Sequence, residues 1–476
     1  MNKNREKSKK VACDFSSRSS PLFLKTKMFK AANYIFEKLN AAGHSTYFAG
    51  GCVRDSILKL SINDIDIATS ATPDEVQKLF RKSKAVGASF GVVLIDIDSI
   101  PFEVATFRTD SSYSDGRHPD KVEYSNDPKI DIQRRDFTIN GLFYDAKTDE
   151  VLDVVGGVKD LEAGKVRAIG NPEERFAEDY LRMLRAVRFA ARFGFDIEDE
   201  TLLAIRGNAH KINDLAAERV KAELTKIWAG PNPHYALDLL RTTGLLQEIL
   251  PEVAALEGVE QPKKFHPEGD VYNHTYFALK AMWEDLGADV SPTLAWGVLL
   301  HDIGKPRTAK INRSGRVSFN GHDHVGAKMA ERVCERLKFS NEERDLIITL
   351  VRNHMKFLVA RNMKTVTLKK FLRTEGFDQL LQLHKYDSLS GIGDLSNYEY
   401  TQQKLDAFEA GTLQDGLRPK ILLNGENLKE LGYEPGPMFG KFIRALEDKQ
   451  LNEEIKTKEE AIGFARVYLG KGKKNV

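Results

Sequence analysis

The chain is poor in cysteine, and its three thiols (Cys13, Cys52 and Cys334) lie far apart with no CxxC pair. That excludes a disulfide scaffold and a cysteine-type zinc site, and it fits a reducing compartment. Long apolar runs are missing too. No stretch approaches the roughly 18 residues that a membrane span needs. Nor is there an excess of one charge: 71 lysines and arginines face 69 aspartates and glutamates, a net of +2. A histone-like polycation is thereby excluded, while a local basic groove is not. The first ten residues carry Lys3, Arg5, Lys7, Lys9 and Lys10 with no apolar segment behind them, which reads as a disordered basic tail and not a signal peptide. The expectation is a soluble, multidomain, cytoplasmic protein with no membrane partner.

What is present is enough for packed cores. Of 476 residues, 41% are apolar and 9% aromatic, and ~150 residues per domain suggests about three domains. Short helix and strand patterns alternate up to about residue 155. TYFAG (46–50), DIDIAT (64–69), GVVLIDID (91–98) and PFEVATF (101–107) read as strands, and CVRDSILKL (52–60) as a helix. From about 172 the apolar spacing becomes three and four, continuous through RFAEDYLRMLRAVRFAARF. From about 266 it stays helical but turns rich in histidine. The fold class expected is an α/β head with a mixed sheet and helices, followed by an all-α body. Five segments are predicted: the tail 1–22, an α/β head 23–160, a helical neck 161–260, a histidine-rich helical domain 261–400, and a helical C-terminal region with a tail, 401–476. The KGKK run at 471–474 is basic enough to touch RNA phosphates weakly.

GGCVRD (50–55) places two glycines after a strand and at a helix start, where N–H groups and the dipole favour an anion. Gly51 and Arg54 are therefore candidate phosphate contacts, although such a turn is also an ordinary connection. Asp64 and Asp66, read as i and i+2 on one strand face, would crowd two carboxylates unless a cation sits between them. Mg²⁺ prefers such hard oxygen ligands together with substrate phosphates.

GGCVRD, NDIDIAT, RRDFTIN (134–140) and EDYLRMLRAVRFAARFGF (178–195), in that order, resemble the class II CCA tRNA nucleotidyltransferase/poly(A) polymerase family, a branch of the polymerase-β-type nucleotidyltransferases. The resemblance spans roughly residues 30–390. It implies a catalytic pair, Asp64 and Asp66, holding two Mg²⁺ ions for in-line transfer, with Gly51, Arg54 and Arg135 on the nucleotide. Glu103 is a candidate third carboxylate. FRTDSSYSDGRHPDKVEY (107–124) resembles the family's mobile loop, with Arg117-His118 where members often carry two arginines.

The resemblance further implies that Asp179 and Arg182, i and i+3 on one helix, read the incoming base. An acceptor beside a donor suits the amino and ring-nitrogen edges of cytosine and adenine and mismatches uracil and guanine. Arg185 and Arg188 would extend this face toward the triphosphate. Arg175 and Arg192 read as solvated, and Glu218 and Arg219 as structural. The function implied is addition of CMP and AMP, from CTP and ATP, to the tRNA 3′ end. Poly(A) polymerase and CC-only or A-only tRNA enzymes share the chemistry.

Seven of the 11 histidines fall between 266 and 384. HPEGDVYNHT (266–275), LLHDIGKP (299–306), FNGHDH (319–324), VRNH (351–354) and KYDSL (385–389) resemble the HD phosphohydrolase superfamily. That implies His274, His301, Asp302 and Asp387 as ligands of a first metal, and His322 and His354 for a second. The donors suit a divalent transition metal. His324 is a decoy beside His322, and His266 a supporting residue. A metal-dependent phosphohydrolase is the alternative of a different class.

Overall fold

The computed structural model describes residues 27–86, 91–111, 121–311, 313, 315, 317–410, 422–451 and 454–470. The tail 1–22, the loop residues 112–120 with Arg117-His118, and the KGKK run lie outside the described residues. The chain falls into two compact units, Met1–Ala254 and Ala255–Val476.

In the first unit nine strands precede residue 155 among the described residues: β1 Thr46–Ala49, β2 Asp66–Thr69, β3 Ser83–Ala85, β4 Val92–Ile97, β5 Ile100–Thr106, β6 Arg108–Ser111, β7 Lys121–Tyr124, β8 Leu142–Asp145 and β9 Glu150–Asp153. Seven of them form a mixed sheet in the order β3-β4-β5-β2-β1-β8-β9, and β6 and β7 pair separately. Only β2 and β5 run parallel within it. Period-2 alternation in TYFA decides which side chain goes where. Phe48 packs at 5.5 Å and 6.0 Å from Phe36 and Phe29 of the helix Lys27–Ala41. On the opposite face Ala49 joins Ala68, Phe107, Ile132 and Phe143 in a core cluster. The turn between β4 and β5 uses left-handed Asp98 and Ser99 (φ 54° and 66°), as a two-residue hairpin requires.

Two readings of local structure are corrected here. The strand expected over 64–69 begins only at Asp66, leaving Asp64 in the extended segment before it. The continuous helix expected through 175–193 is two helices, Pro172–Glu178 and Leu181–Phe193. Asp179 between them is extended (φ −159°, ψ 104°), and its Oδ1 accepts the Leu181 N–H at 3.0 Å. A helix-starting aspartate satisfies an N–H that a continuous helix would satisfy with a carbonyl.

Among its described residues the second unit is helical apart from one two-stranded pairing, Lys310–Ile311 with Val317–Ser318. The helices Val271–Leu286, Pro292–Leu300, His322–Arg336, Asn341–Asn353 and Phe377–Ser390 bring the histidines together. Gly304 allows this: a Cβ there would lie 2.1 Å from the His322 carbonyl, so only glycine lets the HDIGK turn touch the helix that starts at His322. Residues 423–469 close a small core of their own around Leu428, Phe442 and Leu446. Among the described residues no helix is long and apolar enough to cross a membrane.

Candidate active site and metal centre

The β1–β2 register sets Asp66 opposite Ala49, beside the glycine turn. Gly50 has φ 68°, and a Cβ on it would lie 2.8 Å from an Arg135 terminal nitrogen, so both backbone and space demand glycine there. The turn opens onto a cleft of about 590 Å³. Arg54, Arg134, Arg135, Arg182, Arg185 and Arg219 line it, with Asp64, Asp66, Asp136 and Asp179 and the turn's Gly50 and Gly51. Six cations against four carboxylates leave a surplus that suits a polyanion such as a triphosphate.

Burial, then the neighbouring Asp64 and Glu103 charges, push the Asp66 carboxyl up to about 6. None of these three carboxylates has a hydrogen bond or ion pair to its side chain among the described residues. This is the chemistry of a hard-cation site.

The cleft arginines are held from behind. Arg54 is buried, donating from Nε to Asp55 at 2.8 Å and from Nη1 to Asn140 Oδ1 at 2.5 Å, and its guanidinium lies 5.2 Å and 4.9 Å from the Phe189 and Phe193 ring centres. It forms part of the floor. Arg135 rests on Phe143 at 4.8 Å. Arg185 pairs with Asp136 at 2.7 Å. Burial would raise the Asp136 carboxyl, but Arg185 and the Asn140 amide hold it at about 2.

Asp179 and Arg182 both reach the cleft, but not as neighbours on one helix. Asp179 lies in the helix break, where its free oxygen accepts from Arg219 at 2.7 Å. Arg182 pairs with Glu178 and donates to the Arg175 carbonyl at 2.7 Å. Three expectations about arginines fail. Arg188 does not line the cleft; it donates to Glu223 at 2.5 Å. Arg175 is not solvated but donates to the Ile169, Arg134 and Gln133 carbonyls. Arg192 bonds Asp55 at 2.8 Å.

In the second unit, His301, His322 and His354 each place Nδ1 2.7–2.8 Å from the backbone carbonyl of Val298, Phe319 or Val351. A carbonyl only accepts, so Nδ1 carries the proton and the Nε2 lone pair faces inward. Glu268 Oε1 accepts from His274 Nδ1 at 2.7 Å. All four Nε2 atoms converge on Asp302. Its Oδ2 lies 3.2 Å from His301 and 3.7 Å from His274, and its Oδ1 3.3 Å from His322 and 3.8 Å from His354. Asp387 Oδ1 is 2.9 Å from His274 Nε2.

Among the described residues three sets have ligand atoms within 4.8 Å of one another: His266–Glu268–His274 and, meeting at Asp302, the two sets His274–His301–Asp387 and Asp302–His322–His354. Asp302 thus faces both sets, where the sequence reading had assigned it to the first alone. His301 Nε2 is buried without a hydrogen-bond partner, as a waiting donor atom would be. Burial, then His301 and His322, lower His354 to about 4, whereas the hydrogen bonds that His274 donates to Asp387 and Glu268 hold it at about 9 against its burial. His266 bonds Glu268 at 2.9 Å, and His324 sits 70% exposed on Asp323.

Residues 46–167 match the poly A polymerase head domain, 194–256 the probable RNA and SrmB-binding site of polymerase A, and 271–395 the HD domain. The CCA-adding enzyme of Ligilactobacillus salivarius is 32% identical over 420 residues, which is 88% of this chain and 91% of that protein. The chain belongs to the CCA-adding enzyme family. The Bacillus cytotoxicus CCA-adding enzyme is 30% identical over 92% of this chain and 97% of its own length. The fold is similar to that of the Bacillus stearothermophilus CCA-adding enzyme solved in complex with CTP, with TM-score 0.67, 24% identity, and coverage of 93% and 98% of the two chains.

Among the residues that line the cleft, sequence reasoning missed Arg134, Asp136, Asn140, Leu181 and Phe189, and read Arg219 as structural alone. Asp136 and Asn140 stand inside the RRDFTIN motif, which was the available signal. Nothing in the sequence marked Arg219 as the partner of Asp179.

Replacing Arg185 with Met leaves Asp136 buried without its cation. Equilibrium denaturation is expected to show a loss of about 3 kcal/mol at pH 7. The Asp136 carboxyl is depressed below its ordinary 3.8, so the wild-type contribution is present above that value and disappears as pH falls toward about 2. The deficit of the variant therefore narrows in acid. An equal deficit at pH 3 and pH 7 would show that charge pairing is not its source.

Proposed function

We propose that the chain adds CMP and AMP, taken from CTP and ATP, to the 3′ end of tRNA, building or repairing CCA in the cytoplasm. The observation that carries this is one cleft joining the Asp64–Asp66 pair to Asp179 and Arg182 across a floor of arginines. Asp64 and Asp66, with Glu103 beside them, would hold two Mg²⁺ ions, which supply charge neutralisation and a more acidic 3′-hydroxyl. Arg135 and Arg185 would bind the triphosphate, with Gly51 granting close approach and Arg54 stiffening the floor. Arg188 belongs to the support through Glu223.

Asp179 and Arg182 present an acceptor and a donor to the base edge. Asp179→Ala is expected to slow CMP and AMP incorporation and to relax rejection of UTP and GTP by at least tenfold, because the exocyclic amine loses its acceptor. Rejection as strict as wild type at a lower rate would place base reading elsewhere. The function itself is tested with tRNA ending before CCA and labelled CTP, ATP, or both. Full CCA requires both nucleotides. Incorporation of only one, or extension of an oligo(A) primer, would replace this reading with a CC-only, A-only or poly(A) enzyme.

The convergence of four imidazoles and two carboxylates supports a second activity, metal-dependent phosphate-ester hydrolysis. His274, His301, Asp302, Asp387, His322 and His354 would hold a divalent transition metal, which supplies Lewis acidity toward water and phosphate.

A further inference from the structure

Charge around the mouth of the histidine well is uneven. Residues 303–322 hold five cations and no carboxylate. Lys305 pairs with Asp302 at 2.6 Å, and Arg316 lies outside the described residues. Arg307, Lys310 and Arg313 are exposed, on and beside the two-stranded pairing of Lys310–Ile311 with Val317–Ser318. A surface that needs only to stay soluble mixes its signs. An edge of one sign attracts the opposite charge.

This edge is the rim of the well. Lys310 stands directly across from Ser318 in the pairing, and Val317, Ser318 and Phe319 line the well. A second rim segment repeats the pattern. Pro262, Phe265 and His266 line the well, while Lys263 and Lys264, between Pro262 and Phe265, are exposed. Among the described residues none of these five exposed cations has an ion pair. Carboxylates do reach the well, but they are engaged. Asp302 and Asp387 belong to the ligand sets, Asp323 pairs with His324 at 2.9 Å, and Asp394 accepts the Ser396 N–H at 2.9 Å.

Apolar side chains are interleaved with these cations. Phe265 is 42% exposed, with Lys264 Nζ 5.4 Å from its ring centre. Ile311, next to Lys310, is 73% exposed. Cations that follow a backbone, and a ring on which a base can stack, are what a single-stranded nucleic acid requires. A mononucleotide whose phosphate sits at the buried ligand sets has no second phosphate to offer the rim. A polynucleotide has one for every residue.

We infer that the rim formed by Lys263, Lys264, Phe265, Arg307, Lys310 and Arg313 binds single-stranded RNA. Phe265 stacks a base and the cations hold phosphates, so that the terminal phosphate ester of the strand enters the well. The inference rests on the hydrolytic reading of the well and adds its substrate class, a polymer and not a free nucleotide.

The test uses the full chain loaded with Mn²⁺ and a hexaribonucleotide ending in a 3′-phosphate, which has no 3′-hydroxyl to extend. Water attacks phosphorus, the O3′–P bond breaks, the RNA leaves with a 3′-hydroxyl that takes the proton, and orthophosphate is released. Adenosine 3′-phosphate carries the same ester without the strand. The hexamer is expected to have a KM at least tenfold lower. Its KM should climb at least tenfold as KCl rises from about 50 mM to about 200 mM, because phosphate contacts release counterions. Lys310→Ala with Arg313→Ala, and separately Lys263→Ala with Lys264→Ala, should narrow the gap between the two KM values to less than threefold at unchanged bound Mn. Phe265→Ser should narrow it too, and Phe265→Tyr should preserve it.

A second measurement needs neither metal nor turnover. The hexamer with 4-thiouridine in place of uridine is irradiated with the metal-free chain, and the cross-linked peptides are mapped. Cross-links at the peptides holding Phe265 and Lys310 are expected. Equal KM values for hexamer and mononucleotide in wild type would overturn the inference and make the substrate a free nucleotide. A gap unchanged in both double variants, or cross-links that avoid both rim segments, would overturn it as well. A wild type that holds Mn and hydrolyses neither substrate, yet cross-links at the rim, overturns the hydrolytic reading and leaves the RNA surface standing.

Discussion

Asp64→Ala and Asp66→Ala are each expected to lower CMP and AMP incorporation by at least a thousandfold while the protein melts no lower than wild type. The two effects have one origin. In the absence of cations, burial and the Asp64 and Glu103 charges keep the Asp66 carboxyl at about 6, so removing one member relieves repulsion in the folded chain. On the proposed reading the same pair would hold the cations whose positive charge the transferring phosphoryl group needs. Calorimetric melting and single-turnover incorporation measure the two sides separately. Incorporation within tenfold of wild type in either variant would end the assignment of this pair as the cation site.

His301→Ala, with Asp302→Asn as a second variant, is expected to remove more than nine-tenths of bound transition metal and with it all phosphate-ester hydrolysis. Nucleotide addition should stay within twofold of wild type. The separation follows from the fold: the carboxylate pair and the histidine well belong to different compact units. Asp302 is the sharper probe because it faces both His301 and His322, so a single lost charge affects both halves of the ligand set. Elemental analysis and parallel assays of phosphate release and CMP incorporation decide it. Joint loss of both activities would make the histidine cluster a structural support for the polymerase.

Local periodicity was legible. Alternation in TYFA and in VVLIDI marked real strands, and the ordered histidine motifs marked residues that do converge within one well. What sequence could not show was pairing over long separations. Arg54 finds Asn140, 86 residues away, and Arg188 finds Glu223, 35 away; neither spacing leaves a trace in either segment.

The helix break at Asp179 was hidden for a different reason. No proline or glycine stands in RFAEDYLRMLRAVRF, so helical propensity runs straight through it. The break is made by contacts, with Asp179 capping Leu181 and reaching across to Arg219. Tertiary partners outweigh local preference there. Asp302 shows the same limit at the well: the HD dipeptide marked it as a candidate ligand, but only the fold places its two oxygens toward different histidines.

The pairing of Asp179 with Arg219 has a consequence for how a nucleotide is chosen. On the proposed reading, the carboxylate oxygen that meets the base is already occupied at 2.7 Å by a guanidinium. Selection is then an exchange of partners, in which Arg219 is a competitor built into the wall and present at fixed local concentration. Cytosine or adenine must displace it. Uracil or guanine, offering a carbonyl where an amine is needed, leaves the resident pair the better bargain. Refusal is in that sense the resting condition of the cleft, and acceptance is the event that has to be earned.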